Sequence, residues 1–198
     1  EEGRQFWSFQ PVKKPAVPRS KDPAWSRSGI DQFVASRLRQ EGLKPVEVAT
    51  PESLVRRLYF DLVGLPPRRD ELNTFLGDTA PGAYERAVDR LLSSPRYGER
   101  WARHWMDIWR YSDPSGFQKE IRDSRKHIWR WRDWIIDSLN ADKGYDRMLV
   151  EMLAADEAAP ADTAALRATG FLARNWYKFS RNVWLDNIVE HSSKAFLG

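Results

Sequence analysis

The 198-residue chain contains no cysteine. Disulfides, zinc–thiolate sites and covalent haem attachment are therefore excluded within it, although the absence alone fits either side of a membrane. Histidine is nearly as scarce: His104, His127 and His191 lie on separate segments and leave little material for a nucleophilic triad or a zinc site. No apolar run approaches the roughly 18–20 residues that a membrane-spanning helix requires. The opening EEGRQFWSFQ lacks the basic start and apolar stretch of a signal peptide. Glycine-rich phosphate loops, HExxH and GxSxG motifs are also missing, so no motif-defined enzyme class is indicated. No strand-like alternation or internal repeat stands out either.

Tryptophan, by contrast, is abundant. Ten of them exceed what core packing usually needs, and a flat aromatic wall is also what a sugar ring or a porphyrin packs against. The formal charge of +4 is uneven: residues 1–28 carry +3, 29–94 carry −1, 95–132 carry +5 and 133–198 carry −3. The arginine excess thus coincides with the Trp-rich stretch. Such a patch suits an acidic partner: a phosphate chain, a sulfated or uronic glycan, or cofactor carboxylates. Local pairing on a solvated helix face explains much of the same excess, because Glu99 and Asp107 each lie four residues from Arg103.

Pro11, Pro15, Pro18 and Pro23 forbid a helix near the start and predict an extended arm over residues 1–28, pinned to the body through its Phe6–Phe9 aromatics. Beyond it the apolar residues recur at helical spacing. Ile30, Phe33, Val34 and Leu38 mark a first helix that stops near Gly42. Thr50 before Pro51 reads as a cap and first-turn proline, and that helix closes at Gly64. Shorter helices follow over about 70–76 and 83–93, then one over about 95–112. Others are predicted over 127–140, 145–155, 163–174 and 182–197. The fold class is all-α, an irregular multi-helix bundle, with residues 29–198 forming a single helical domain.

The stretch WARHWMDIWRYSDPSG (101–116) carries the most chemistry. At 100° per residue, Tyr111, His104, Tyr97, Ile108, Trp101, Trp105, Trp109, Ala102 and Met106 fall in order across one broad arc. The arc is wider than one partner helix needs, which predicts a central helix. It also places His104 among aromatics, where burial and a hydrogen-bonded structural role are expected. Trp101, His104, Trp105, Arg110 and Asp113 form the candidate pocket. The adjacent acids Asp156 and Glu157 could be read as a glycosidase pair, but nothing in the sequence sets their separation. His127 reads as a surface group at a helix start, and His191 as a packing residue beside Trp184 and Ile188.

The blocks RRLYFDLVGLPP (56–67), YERAVDRLLSSPRYGERWARHWMDIWRYSD (84–113), WRWRDWIIDSLNADKGYDRM (129–148), ATGFLARN (168–175) and HSSKAFLG (191–198) resemble, in order and spacing, the planctomycete-type cytochrome-c-associated domain of unknown function. The opening FWSFQPVKKPAVP is similar to that family's usual start. The resemblance implies an excised segment of a large exported protein, followed by a CxxCH haem motif and a second family-specific domain, with sulfatases and polysaccharide-degrading enzymes as genomic neighbours. It implies no cofactor or metal in this segment and haem c in the full-length protein. Its expected partners are the adjoining cytochrome c and C-terminal domains of the same chain, with polysaccharide as a further candidate and nucleic acid as none. The location would be periplasmic or otherwise extracytoplasmic. On this reading the segment is a non-catalytic scaffold helping to house the haem, with His104 a candidate axial ligand in the full-length protein; a module for acidic or sulfated polysaccharides is the alternative. The sequence departs from the family pattern at Pro114 and Ser115, where a polar pair including Asn is expected, and at Leu172, where many members have His.

Overall fold

The computed structural model describes residues 2–19, 28–112, 127–174 and 180–197. Among them no strand occurs and helices dominate, as the all-α reading requires. The chain divides into two compact units, Glu1–Ala49 and Thr50–Gly198, so the first predicted helix groups with the N-terminal stretch.

In the first unit the prolines exclude α-helix, and two short 3₁₀ turns, Glu2–Gln5 and Trp7–Phe9, precede an irregular run. The Phe6 ring lies 5.9 Å from Trp7 and 6.5 Å from Phe9. Helix α1 (Gly29–Gln40) opens with a capping box: the Asp31 N–H donates to Ser28 Oγ, and the Ser28 N–H donates to the Asp31 carboxylate.

The second unit begins at α2 (Pro51–Val63), capped by Thr50, whose Oγ1 accepts from the Ser53 N–H. Helices α3 (Arg69–Gly77) and α4 (Ala83–Leu92) fold back on it. Val55, Leu58, Tyr59 and Val63 meet Ala87 and Leu91 in one buried cluster. A second cluster is built by α5 (Pro95–Ile108), α6 (Trp129–Asn140), α7 (Tyr145–Ala158), α8 (Thr163–Leu166) and α9 (Gly170–Ala173). Its centre is Ala102, Trp109, Trp131, Trp134, Ile135, Met152 and Phe171. Helix α10 (Arg181–Phe196) adds Ala195 and Phe196 at the margin. As expected, α5 is central, touching α2 and α4 as well as α6.

The α5–α6 crossing is tight because Gly98 carries no side chain: a Cβ there would lie 2.6 Å from the Ile136 carbonyl oxygen. Asn140 seals the contact, accepting from the Gly98 N–H at 2.8 Å and donating to the Pro95 carbonyl at 3.1 Å.

Three boundaries differ from the sequence reading. Helix α5 stops at Ile108 rather than Ser112, because Arg110 adopts a left-handed conformation (φ 57°). Its N–H donates to Asp107 O and that of Tyr111 to Met106 O, the paired bonds of a Schellman stop with arginine where glycine is usual. The predicted 163–174 helix contains a 3₁₀ turn at Arg167–Thr169. Helix α7 extends to Ala158 through a kink at Ala154 (φ −151°).

Candidate functional site

Trp101 and Trp105 are half-buried, and His104 is exposed. This corrects the expected burial of the imidazole. The physical reason lies in coverage: α6 packs on the side of α5 that bears Gly98 and Ala102, while along the other margin Tyr97 and Trp101 are half-buried and His104 is left exposed. Trp105 faces inward, 4.9 Å from Trp109 and 5.4 Å from Tyr145. Along the open margin Tyr97, Trp101 and His104 form a ladder with ring spacings of 6.1 and 5.4 Å. The candidate residues therefore divide: Trp101 and His104 belong to this ladder, Trp105 to the core side, and Arg110 to a different corner. Asp113 lies outside the described residues. Asp156 and Glu157 sit on consecutive, exposed positions of α7, roughly 100° apart around the helix, so they do not converge on one point.

The corner that receives Arg110 is built around Arg174, which follows α9 and is 9% exposed. Its placement begins at Gly170, where a Cβ would lie 2.4 Å from Trp131 Cβ; the missing side chain lets α9 lie directly on α6. Phe171 then packs edge-on to Trp131 at 5.8 Å, and Arg174, one turn on, lays its guanidinium carbon 4.0 Å from the Phe171 ring centre and 5.9 Å from that of Trp131. Nη1 donates to the Phe171 carbonyl. Nε and Nη2 are buried with no hydrogen-bond partner, as is the indole Nε1 of Trp131. Tyr111 lies against Trp131 at 5.8 Å and Phe196 against Phe171 at 5.1 Å. Trp184 Nε1 donates to Leu172 O at 3.0 Å and ties α10 to α9.

Among the described residues this corner brings together Arg174 and Arg110, with Glu190 and His191 nearby. Burial, aided by the Arg110 charge, lowers the Arg174 pKa to about 10, still cationic at neutral pH. Burial, with the Arg174 and Arg110 charges, lowers the His191 pKa and favours its neutral ring. Glu190 is engaged by Lys194 at 2.5 Å.

Two further features adjoin the second core. A cleft of about 390 Å³ between the start of α6 and α8–α9 is lined by His127, Arg130, Thr163, Arg167 and Thr169. Arg167 reaches Asp137 at 3.0 Å. Where α7 meets α6, buried Glu151 accepts from Trp134 Nε1 (3.0 Å), Lys143 Nζ (2.6 Å) and Arg147 Nε (2.8 Å). Burial raises its pKa, but the three donors outweigh it and the net displacement is downward. The carboxylate is thus held from three sides, which makes it a tie between α6 and α7.

Among the described residues, no group of three or more His, Cys, Asp or Glu is placed to hold a metal ion. None of their helices is long and apolar enough to cross a membrane.

Residues 29–198 match the family described as PSCyt2, protein of unknown function (DUF1549). The chain belongs to that family. Comparison with curated proteins and with solved structures gives no match. Within the PSCyt2 segment, Arg174, Phe171 and Phe196 form a candidate corner that sequence reasoning missed. The available signal was a lone charged residue three positions after Phe171 in the ATGFLARN block, on the face that packs.

Proposed function

We propose that this PSCyt2 domain is a non-catalytic helical scaffold of an extracytoplasmic, multidomain c-type cytochrome, and that it helps house a haem carried by adjoining sequence. The observation that carries this reading is the Arg110–Arg174 corner set into an aromatic wall of Trp131, Tyr111, Phe171 and Phe196. A haem edge combines a flat apolar ring with two carboxylates, and arginine set beside aromatic rings complements both. Arg110 would hold a propionate, and the half-buried Tyr111 and Phe196 rings, backed by the buried Trp131 and Phe171, would shield the macrocycle edge from water. The haem itself would supply one-electron chemistry when bound, while these residues bind and orient it. Exported location and association with a cytochrome c and a C-terminal domain in one polypeptide belong to the same reading.

The test is the ultraviolet–visible spectrum of a chain extended past Gly198 through the expected CxxCH motif and co-expressed with haem-maturation machinery. A covalent Soret band that broadens or shifts in Arg174→Lys supports the scaffold role; a spectrum indifferent to Arg174 and Arg110 contradicts it. His104→Gln in the same protein addresses the axial role: a change from low-spin to high-spin iron in a folded protein assigns the ligand, and an unchanged spectrum removes it. The second reading, a module for acidic or sulfated polysaccharide, draws support from the Tyr97–Trp101–His104 ladder, whose open edge suits a sugar face. Titration with sulfated oligosaccharides, followed by Trp101→Ala, decides it.

A further inference from the structure

The cleft of about 390 Å³ between the start of α6 and α8–α9 takes no part in the haem reading, and its volume falls within the range of small-molecule sites. Its floor is apolar: Ile128 and Trp131 are buried there, with Leu166 and Ala173 half-buried beside them. Its rim is cationic, and no carboxylate is among the described residues that line it. Arg130 stands exposed at that rim. The acid one helical turn on, Asp133, is held by Arg132 at 2.8 and 3.0 Å, and no acid pairs with Arg130 among the described residues. Arg167 donates through Nη2 to Asp137 (3.0 Å) and through Nε to the Ala164 carbonyl (3.4 Å), which leaves Nη1 without a partner among the described residues. The Thr163 hydroxyl is likewise unengaged among them. Helix α6 starts at the same rim, and Ile128 at its N-cap has no side-chain oxygen to accept from the first-turn N–H groups.

We propose that this cleft binds a small organic phosphate or sulfate ester, with its tetrahedral oxyanion at the Arg130–Arg167 rim and its ring seated over Ile128, Leu166 and Ala173. The charge selects an anion, because the two guanidinium groups are offset by the single carboxylate of Asp137. The origin of the donors selects its shape. Arg130 comes from α6, Thr163 from α8 and Arg167 from the 3₁₀ turn that follows, so an acceptor with three oxygens meets more of them than a flat carboxylate with two. The floor selects the ester over the bare ion: an apolar ring covers Ile128, Leu166 and Ala173, which inorganic phosphate or sulfate would leave wet. Phosphate and sulfate esters present the same three oxygens and differ in charge near neutral pH. Neither Arg110 nor Arg174 lines this cleft, so the proposal stands apart from the haem reading.

The experiment titrates the nitrogen-15-labelled chain with phenyl phosphate and phenyl sulfate at constant ionic strength and follows its amide spectrum. At least one ester is expected to shift the amides of Trp129–Trp131 and Thr163–Gly170 saturably, and the tighter of the two identifies the ester class. Phenol, which offers the ring alone, and inorganic phosphate or sulfate, which offer the oxyanion alone, should each bind about tenfold more weakly. Arg130→Gln should weaken ester binding about tenfold, and Arg167→Gln gives a second reading of the same sign should the first variant fail to fold. Arg103→Gln removes one positive charge from the Arg103–Asp107 pair on α5, away from the cleft, and should leave binding unchanged. The proposal is overturned if neither ester shifts these amides, or if phenol binds as tightly as the esters. Tighter binding of benzoate than of both esters overturns it as well, since the site would then prefer a flat carboxylate. So does an Arg103→Gln variant that loses as much affinity as Arg130→Gln, which would reduce the response to net charge.

Discussion

Replacing Gly98 by alanine tests the closest approach of α5 to α6. The new Cβ would stand 2.6 Å from the Ile136 carbonyl oxygen and 2.6 Å from Asn140 Cγ and Oδ1, whereas ordinary contact begins at 3.4 Å. Asn140 can swing aside, but the carbonyl belongs to the backbone of α6, so α5 and α6 must part by several tenths of an ångström. Overpacking of this kind costs about 1–3 kcal/mol. Moving Asn140 also weakens the bonds from the Gly98 N–H and to the Pro95 carbonyl, each worth about 0.5–1.5 kcal/mol. Alanine returns about 1 kcal/mol through its better helix propensity. The expected net loss is about 2 kcal/mol, or roughly 4–8 °C in Tm for a unit of this size. Gly77 at the end of α3 is the control: nothing lies within 4 Å of the point its Cβ would occupy, so Gly77→Ala should be neutral or stabilising by about 0.5 kcal/mol. Urea unfolding followed by circular dichroism gives both values. Gly98→Ala with an undiminished midpoint and an unchanged slope would refute the close-crossing argument.

Arg110→Gly should stabilise the chain by about 0.5–1 kcal/mol by relieving the left-handed conformation; a loss of thermal stability would contradict the strain assignment. Glu151→Gln removes the acceptor charge shared by Lys143, Arg147 and Trp134 and should cost about 3 kcal/mol in urea unfolding. Because the folded Glu151 carboxyl titrates below its ordinary value, the stability it contributes is fully present above about pH 4.3 and is lost as pH falls through the lower folded value. The urea midpoint of the parent chain should therefore fall between pH 5 and pH 3 more steeply than that of Glu151→Gln, and parallel curves would count against the triad. Trp131→Ala, fully buried, should cost about 3–5 kcal/mol, and half-buried Trp105→Ala less; the reverse order in thermal melts would mean that the packing on α5 is wrongly understood.

The helices were legible because their local chemistry is consistent. Ser28, Thr50 and Asp162 accept from backbone N–H groups at the starts of α1, α2 and α8, and the apolar spacing between such stops is helical. The C-terminal limit of α5 was not legible, since a left-handed arginine gives no compositional cue of the kind that Gly42 and Gly64 give. The site was read less well than the fold. An arc drawn at 100° per residue orders side chains around α5, but it does not say which neighbours cover them; Trp109 and Ala102 were covered and His104 was not. Arg174 was missed for a related reason. Its environment comes from α6, α9 and α10, which are distant in sequence, and from the room made by Gly170.

The position of α5 between two separate buried clusters bears on how the second unit comes apart. The cluster of α2–α4 contains no α5 residue, whereas that of α6–α9 includes Ala102 and Trp109. Opening the first cluster therefore leaves α5 docked on α6 through Gly98 and Asn140, while opening the second strips α5 of its main support. The unit has an asymmetric order of release, in which α2–α4 can detach as a group before the tryptophan-rich half is disturbed. Amide protons of Val55–Leu62 would then exchange with solvent through a smaller opening than those of Trp131–Ile135. The Arg174 corner, which rests on the second cluster, would stay assembled through excursions that expose the first.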